Sequence, residues 1–197
     1  MPEVWCARVR PVATGRPSAP KNRTEVRRVQ SETTVPSESL LPERSKEVAR
    51  HLRSAGVTGE IREMPGSTRT AADAAAALGC EPGAIASSLV FLAADEPVLV
   101  LTSGRHRIDT DALVERLGWQ PLTRAKPEQV RRATGQAIGG VAPLGHPRAL
   151  PTVVDSALAD YERVWAAGGT PRTVFPTTHD ELVRITGGRS LPVASDE

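Results

Sequence analysis

Residues 139–147, Gly-Gly-Val-Ala-Pro-Leu-Gly-His-Pro, place three glycines, two prolines and one histidine in nine consecutive positions between stretches of β-like composition. Glycines inside a strand pattern weaken pairing and permit close approach of another backbone or a ligand, so Gly139 and Gly140 mark a place where the chain comes near something. Pro143 fixes φ and removes a donor, which forces the chain out of any ladder there. The product is a rigid loop with exposed amides around Val141 and Gly145. Such a loop can hold a small polar ligand through main-chain N–H and C=O groups. The same residues also suit an ordinary β-bulge and turn. His146 reads either as a proton-transfer group or as a loop hydrogen-bonding residue.

A second chemical cluster is Ser103-Gly104-Arg105-His106-Arg107-Ile108-Asp109, which follows an apolar strand pattern. Arginine binds phosphate bidentately, so Arg105 and Arg107 could meet a nucleic-acid backbone, or this turn could simply be solvated. Asp155 ends a β-like run and reads as a polar pocket group, whereas Asp109 also suits a helix cap. No spacing supports a Ser-His-Asp triad, and no His/Asp/Cys cluster suggests a metal.

The elements that must position these residues begin at Pro42. "PERSKEVARHLRSAG" sets Val48, Ala49 and Leu52 on one helical face and stops at Gly56. "EIREM" alternates as a strand does. "TRTAADAAAALG" predicts a helix capped by Thr70 with Asp73 and ended by Gly79. "SLVFLAADEPVLVLTS" predicts a hairpin turning at Asp95-Glu96-Pro97, with strands buried on both faces. Helices follow at "DTDALVERLG", capped by Asp109, at "KPEQVRRATG", and at "TTHDELVRITGG", where Thr178 and Glu181 stand in capping register. "QAIGGV", "PTVVD", "RVWAA" and "RTVFP" are further strand candidates. Helices and strands interleave without βαβ regularity, which predicts a single α+β domain with a mixed, curled sheet flanked by helices.

Charge is unevenly placed. Residues 1–40 carry seven basic and four acidic side chains, a net +3, while the whole chain is +2, leaving residues 41–197 at about −1. The first forty residues lack periodicity and are rich in Ser, Thr, Pro and Arg, the composition of a disordered basic extension. Any RNA contact on the remainder has to be local. Cys6 and Cys80 are far apart and fit no disulfide framework. No apolar run reaches the length of a membrane span and no signal-peptide core is present, so a cytoplasmic protein with no membrane partner is expected.

Taken together, "TAADAAAALGCEPGAIASSLVF", "VLVLTSGRHRID", "ATGQAIGGVAPLGHP", "LPTVVD", "VWAAGGTPRTVF" and "DELVRITGG" resemble, in order and spacing, the YbaK family of aminoacyl-tRNA deacylases. That family includes free-standing trans-editing proteins and the editing domain of bacterial prolyl-tRNA synthetases. The resemblance covers roughly residues 45–190. It implies a hydrolase that removes a wrong small amino acid, such as alanine or cysteine, from the 3′ end of a mischarged tRNA, commonly the proline acceptor. It implies no cofactor, an aminoacyl-tRNA partner, and a cognate synthetase as a possible second one. Selection pockets separate small apolar side chains by only about 1–3 kcal/mol, which is why a second sieve exists.

In this family a Gly-x-x-x-Pro loop holds the aminoacyl group, and it maps onto Gly139–Pro143. A hydroxyl of the terminal adenosine is thought to help activate water. One departure stands out: the family's usual lysine falls where this chain has Ser87. Lysine occurs here only at positions 21, 46 and 126. Serine supplies one hydrogen bond but no charge. Ser87 is therefore consistent with a deacylase that draws its cation from Arg105, His106 or Arg107, with a changed specificity, or with a catalytically weak or inactive paralogue that binds an aminoacyl-tRNA 3′ end or a protein partner.

Overall fold

The computed structural model describes residues 40–64 and 70–194. The basic extension expected over residues 1–40 lies almost wholly outside the described residues. Within them the fold is α+β: an eight-stranded mixed sheet with five α-helices.

Helix α1 (Glu43–Ser54) buries Val48, Ala49 and Leu52, and the chain leaves it through Gly56 at φ 72°. β1 is the short Arg62–Glu63. α2 (Ala71–Leu78) is capped reciprocally: the Thr70 hydroxyl accepts from the Asp73 N–H at 3.1 Å and the Asp73 carboxylate accepts from the Thr70 N–H at 3.1 Å. Two of the helix's orphan donors are thereby satisfied.

β2 (Ile85–Ala93) and β3 (Glu96–Ser103) form the expected hairpin, paired from Ala86↔Ser103 to Ala93↔Glu96. The turn sits one residue earlier than the sequence predicts, at Ala94 and Asp95, with φ 46° and 69°. A two-residue turn of this hand needs positive φ at both central positions, which proline cannot adopt, so Pro97 falls inside β3. Val98, Leu99, Val100 and Leu101 are all buried, confirming a strand covered on both faces. Each such side chain contributes about 1.5–3 kcal/mol relative to exposure.

α3 (Thr110–Leu117) starts at Asp109, whose carboxylate accepts from the N–H groups of Asp111 and Ala112. β4 (Leu122–Arg124) has no counterpart among the expected strands; it is three residues long, too short to show alternation. α4 (Pro127–Thr134), β5 (Thr152–Asp155), β6 (Val164–Ala167), β7 (Thr173–Thr177), α5 (His179–Thr186) and β8 (Arg189–Leu191) complete the order. The sheet runs β1-β7-β6-β2-β3-β5-β8, with β4 added beside β2. Pairs β2/β6, β3/β5 and β5/β8 are parallel and the rest antiparallel.

The strand expected at "QAIGGV" does not form. Residues 136–141 make a turn in which the Gly140 N–H donates to Ala137 C=O at 3.0 Å. Two adjacent glycines and the proline that follows leave too little ladder for a strand.

One apolar cluster joins α1, α5 and the 141–150 segment to the face of β2 carrying Ala86 and Val90. A second, with Phe91, Val100, Leu113 and Val153, covers another face, and a third links Ala74 and Ala75 of α2 to Ile85 and Trp165.

Candidate active site

β2 has two different neighbours on the edge away from β3. It pairs with β6 at Ile85 and Ala86, and with β4 at Phe91, Leu92 and Ala93. Between these pairings, residues 87–90 have no strand on that side. The Val90 carbonyl faces this edge, accepting from the Ala125 N–H at 3.1 Å. Strand alternation points the N–H and C=O of Ser88 the same way.

A cavity of about 30 Å³ opens at this split, lined by Ser88, Leu89, Val90, Arg124, Ala125, Val130, Ile138 and Val141. Its volume suits one water-sized group. Among the described residues, the Ser88 hydroxyl is the one buried side-chain polar atom without a hydrogen-bond partner. A buried donor left unmade costs free energy, so an unpartnered hydroxyl in a cavity wall is a group kept for a ligand or a water. Sequence reasoning missed Ser88; an apolar strand interrupted by two serines was the available signal.

Val141 brings the 139–146 loop to the cavity, and the loop's anchor also escaped the sequence reading. Gln136 is buried; its side-chain oxygen accepts from the Ala142 N–H at 2.6 Å, and its amide nitrogen lies 3.5 Å from the Leu144 carbonyl. Val141, Ala142 and Pro143 are buried in turn. Gly139 has φ 83°, and a Cβ on Gly140 would fall 2.3 Å from the Thr170 carbonyl carbon. The close approach these glycines permit is therefore to the chain's own Thr170–Pro171 turn. Gly145, at φ 80°, passes over His51.

His146 Nε2 is 2.8 Å from the Ala142 carbonyl. A carbonyl only accepts, so Nε2 carries the hydrogen. Burial, with His51 nearby adding to it, holds the imidazole below its ordinary pKa despite the opposing Ala142 contact. The ring is neutral at pH 7, with Nδ1 free to accept.

The Ser103–Arg107 turn forms a separate network. Asp155 is fully buried and accepts from the Ser103 N–H at 2.9 Å and the Ala157 N–H at 3.1 Å, with His106 Nδ1 at 2.8 Å. The Ser103 hydroxyl donates to Gly83 C=O at 2.7 Å. A Cβ on Gly104 would meet the Pro82 carbonyl oxygen at 2.3 Å, so the turn needs glycine there. Arg105 pairs with Asp160, donates to Tyr161 Oη at 3.2 Å, and stacks over that ring at 5.6 Å. Arg107 is exposed. No hydrogen bond among the described residues joins this network to the 136–146 loop. Ser87 is half-buried opposite Thr102, on the strand face of Leu89, and does not line the cavity.

An α+β fold with a split sheet, a small cavity holding a spare hydroxyl, and a wall docked by paired glycines defines the class. Residues 66–185 match the aminoacyl-tRNA editing domain, and the chain belongs to that family. It is 42% identical to a crystal structure of a candidate trans-editing enzyme for prolyl tRNA synthetase, with a TM-score of 0.75 over 79% of this chain and 99% of that one. Uncharacterized protein YwhH of Bacillus subtilis (strain 168) is 28% identical over 138 residues, 70% of this chain and 87% of its own length. The proline–tRNA ligase of Nitratidesulfovibrio vulgaris (strain DP4) is 31% identical over 160 residues, 76% of this chain and 27% of the ligase. The chain thus spans about a quarter of that ligase. No helix among the described residues is long and apolar enough to cross a membrane, and none of them form a His/Cys/Asp/Glu group able to hold a metal ion.

Proposed function

We propose that residues 41–197 hydrolyse the ester of mischarged aminoacyl-tRNA in trans, releasing a small amino acid such as alanine or cysteine from the proline acceptor. The observation that carries this reading is the cavity of about 30 Å³ at Ser88, set in the fold of an editing domain. Its small size suits the short side chain of an amino acid such as alanine or cysteine. Coverage of 99% of the candidate trans-editing structure supports action as a free-standing protein.

In the reaction, water adds to the ester carbonyl, the C–O bond to ribose breaks, and the amino acid leaves as a carboxylate while the ribose oxygen regains a proton. The lining residues offer no carboxylate or imidazole as base. The protein's part is positioning and charge stabilisation, through the Gly139–Pro143 loop and the Ser88 hydroxyl, with a substrate ribose hydroxyl assisting water. His146 supports the loop through Ala142, and Asp155 with Ser103 and Gly104 fixes the turn that bears Arg105 and Arg107.

A second reading, binding without turnover, is favoured by the missing lysine at Ser87. Single-turnover deacylation of alanyl-, cysteinyl-, seryl- and threonyl-tRNA for proline by the native protein and by Ser87→Lys separates the two. Hydrolysis by the native protein is the expected result. Hydrolysis by Ser87→Lys alone would sink the enzymatic reading of this chain and leave the binding one.

A further inference from the structure

Beside the Ser88 cavity lies a larger groove of about 380 Å³, lined by Pro127, Glu128, Arg131, Arg132, Ala137 and Ile138. The two spaces share Ile138, and Arg124 lines the smaller one. α4 turns Val130 and Thr134 inward, which leaves Glu128, Arg131 and Arg132, spaced i, i+3 and i+4, along its outer face. Arg124, Arg131 and Arg132 are exposed, and among the described residues no side-chain hydrogen bond or ion pair engages them. Arg44, Arg172 and Arg184, by contrast, are held by Glu47, Glu63 and Glu181. Ile138, where the spaces meet, is 52% exposed.

We propose that this groove carries the phosphodiester backbone of a single-stranded RNA 3′ end and leads its terminal residue to the Ser88 cavity. The inference rests on the deacylase reading for the direction of the strand, and it supplies the cation that Ser87 lacks from a different element. Three arginines against one glutamate make the site anionic-ligand selective in a domain whose net charge is close to zero. Guanidinium forks match phosphate oxygens. The groove has no aromatic lining, so it grips the backbone without reading bases, while Ile138 gives one base or ribose an apolar contact. A cavity this small, next to the groove, is entered by a strand end.

The test uses the full chain and a short fluorescent single-stranded RNA that has never been aminoacylated, with binding followed by anisotropy across a salt series. Arg131→Glu/Arg132→Glu is expected to weaken binding at least tenfold. With Arg131→Gln/Arg132→Gln, the slope of log K against log salt is expected to shrink by roughly 1.4, about 0.7 for each phosphate no longer neutralised. Arg163→Glu/Arg189→Glu, which changes the same net charge elsewhere, is expected to keep the native slope. On mischarged tRNA the α4 variants raise KM more than they lower kcat. Native-like RNA binding by both α4 variants, an equal loss in the Arg163/Arg189 control, or equal native affinity for duplex RNA overturns the groove. Native protein that binds RNA with this slope but hydrolyses no mischarged tRNA leaves the groove standing and removes the deacylase reading. Hydrolysis that is indifferent to both α4 variants does the reverse.

Discussion

Ser88 is the residue whose replacement separates stability from function. Its hydroxyl is buried and unpartnered, so Ser88→Ala removes an unmet polar group and is expected to leave the melting temperature equal or raised, by no more than about 1 kcal/mol in stability. If the hydroxyl meets the substrate, the same change is expected to lower single-turnover deacylation by about 3- to 10-fold, the worth of one hydrogen bond. A parallel fall in both would assign Ser88 to the fold instead. His146 makes a pH prediction. The folded protein resists protonating this buried ring while the unfolded chain does not, so between the ordinary value near 6.5 and the lower folded value only the unfolded state takes the proton. Stability is therefore expected to fall as pH drops through about 6.5, and a melting series from pH 7.5 to 5.5 should be flatter for His146→Asn than for the native protein. At this scale the loop glycines and Asp155 left local marks, in backbone demands and a strand end, but Asp155, expected as a pocket group, instead holds the Ser103 turn away from the cavity. Ser88 left only a break in an apolar strand and Gln136 left no mark, since their importance comes from which neighbours lack or need a partner.

At the scale of elements, the 136–146 segment behaves as a plug fastened at two places, by Gln136 from within and by Gly140 against the Thr170–Pro171 turn. Gly140→Ala puts a methyl 2.3 Å from main-chain carbon, which no rotamer relieves. It is expected to cost roughly 2–4 kcal/mol and to abolish deacylation, as read by thermal unfolding and single-turnover assay. A native melting curve would show that the docking is loose. The five helices, their glycine stops and the β2–β3 hairpin were all legible from periodicity and caps. The false strand at "QAIGGV" fails on its adjacent glycines and the proline that follows, and the unseen β4 is only three residues long, too short for alternation to mark it. The displaced hairpin turn has a local cause in the φ demands at Ala94 and Asp95.

Across the molecule, the site draws on β2, β4, α4 and the loop after it, yet the loop's final fastening comes from residues 170–171. The cost of closing a chain segment rises with its length, and β2 and β3 are joined by a two-residue turn while β1 and β7 pair across most of the domain. The hairpin that bears Ser88 is thus suited to nucleate folding, whereas the wall opposite it waits for β6 and β7 to arrive and present the Thr170–Pro171 turn. During synthesis from the N-terminus, the floor of the cavity leaves the ribosome well before the residues that clamp its far side. The nascent domain passes through a stage with a formed hairpin and no site, and the cavity gains its clamped wall only once the Thr170–Pro171 turn has emerged.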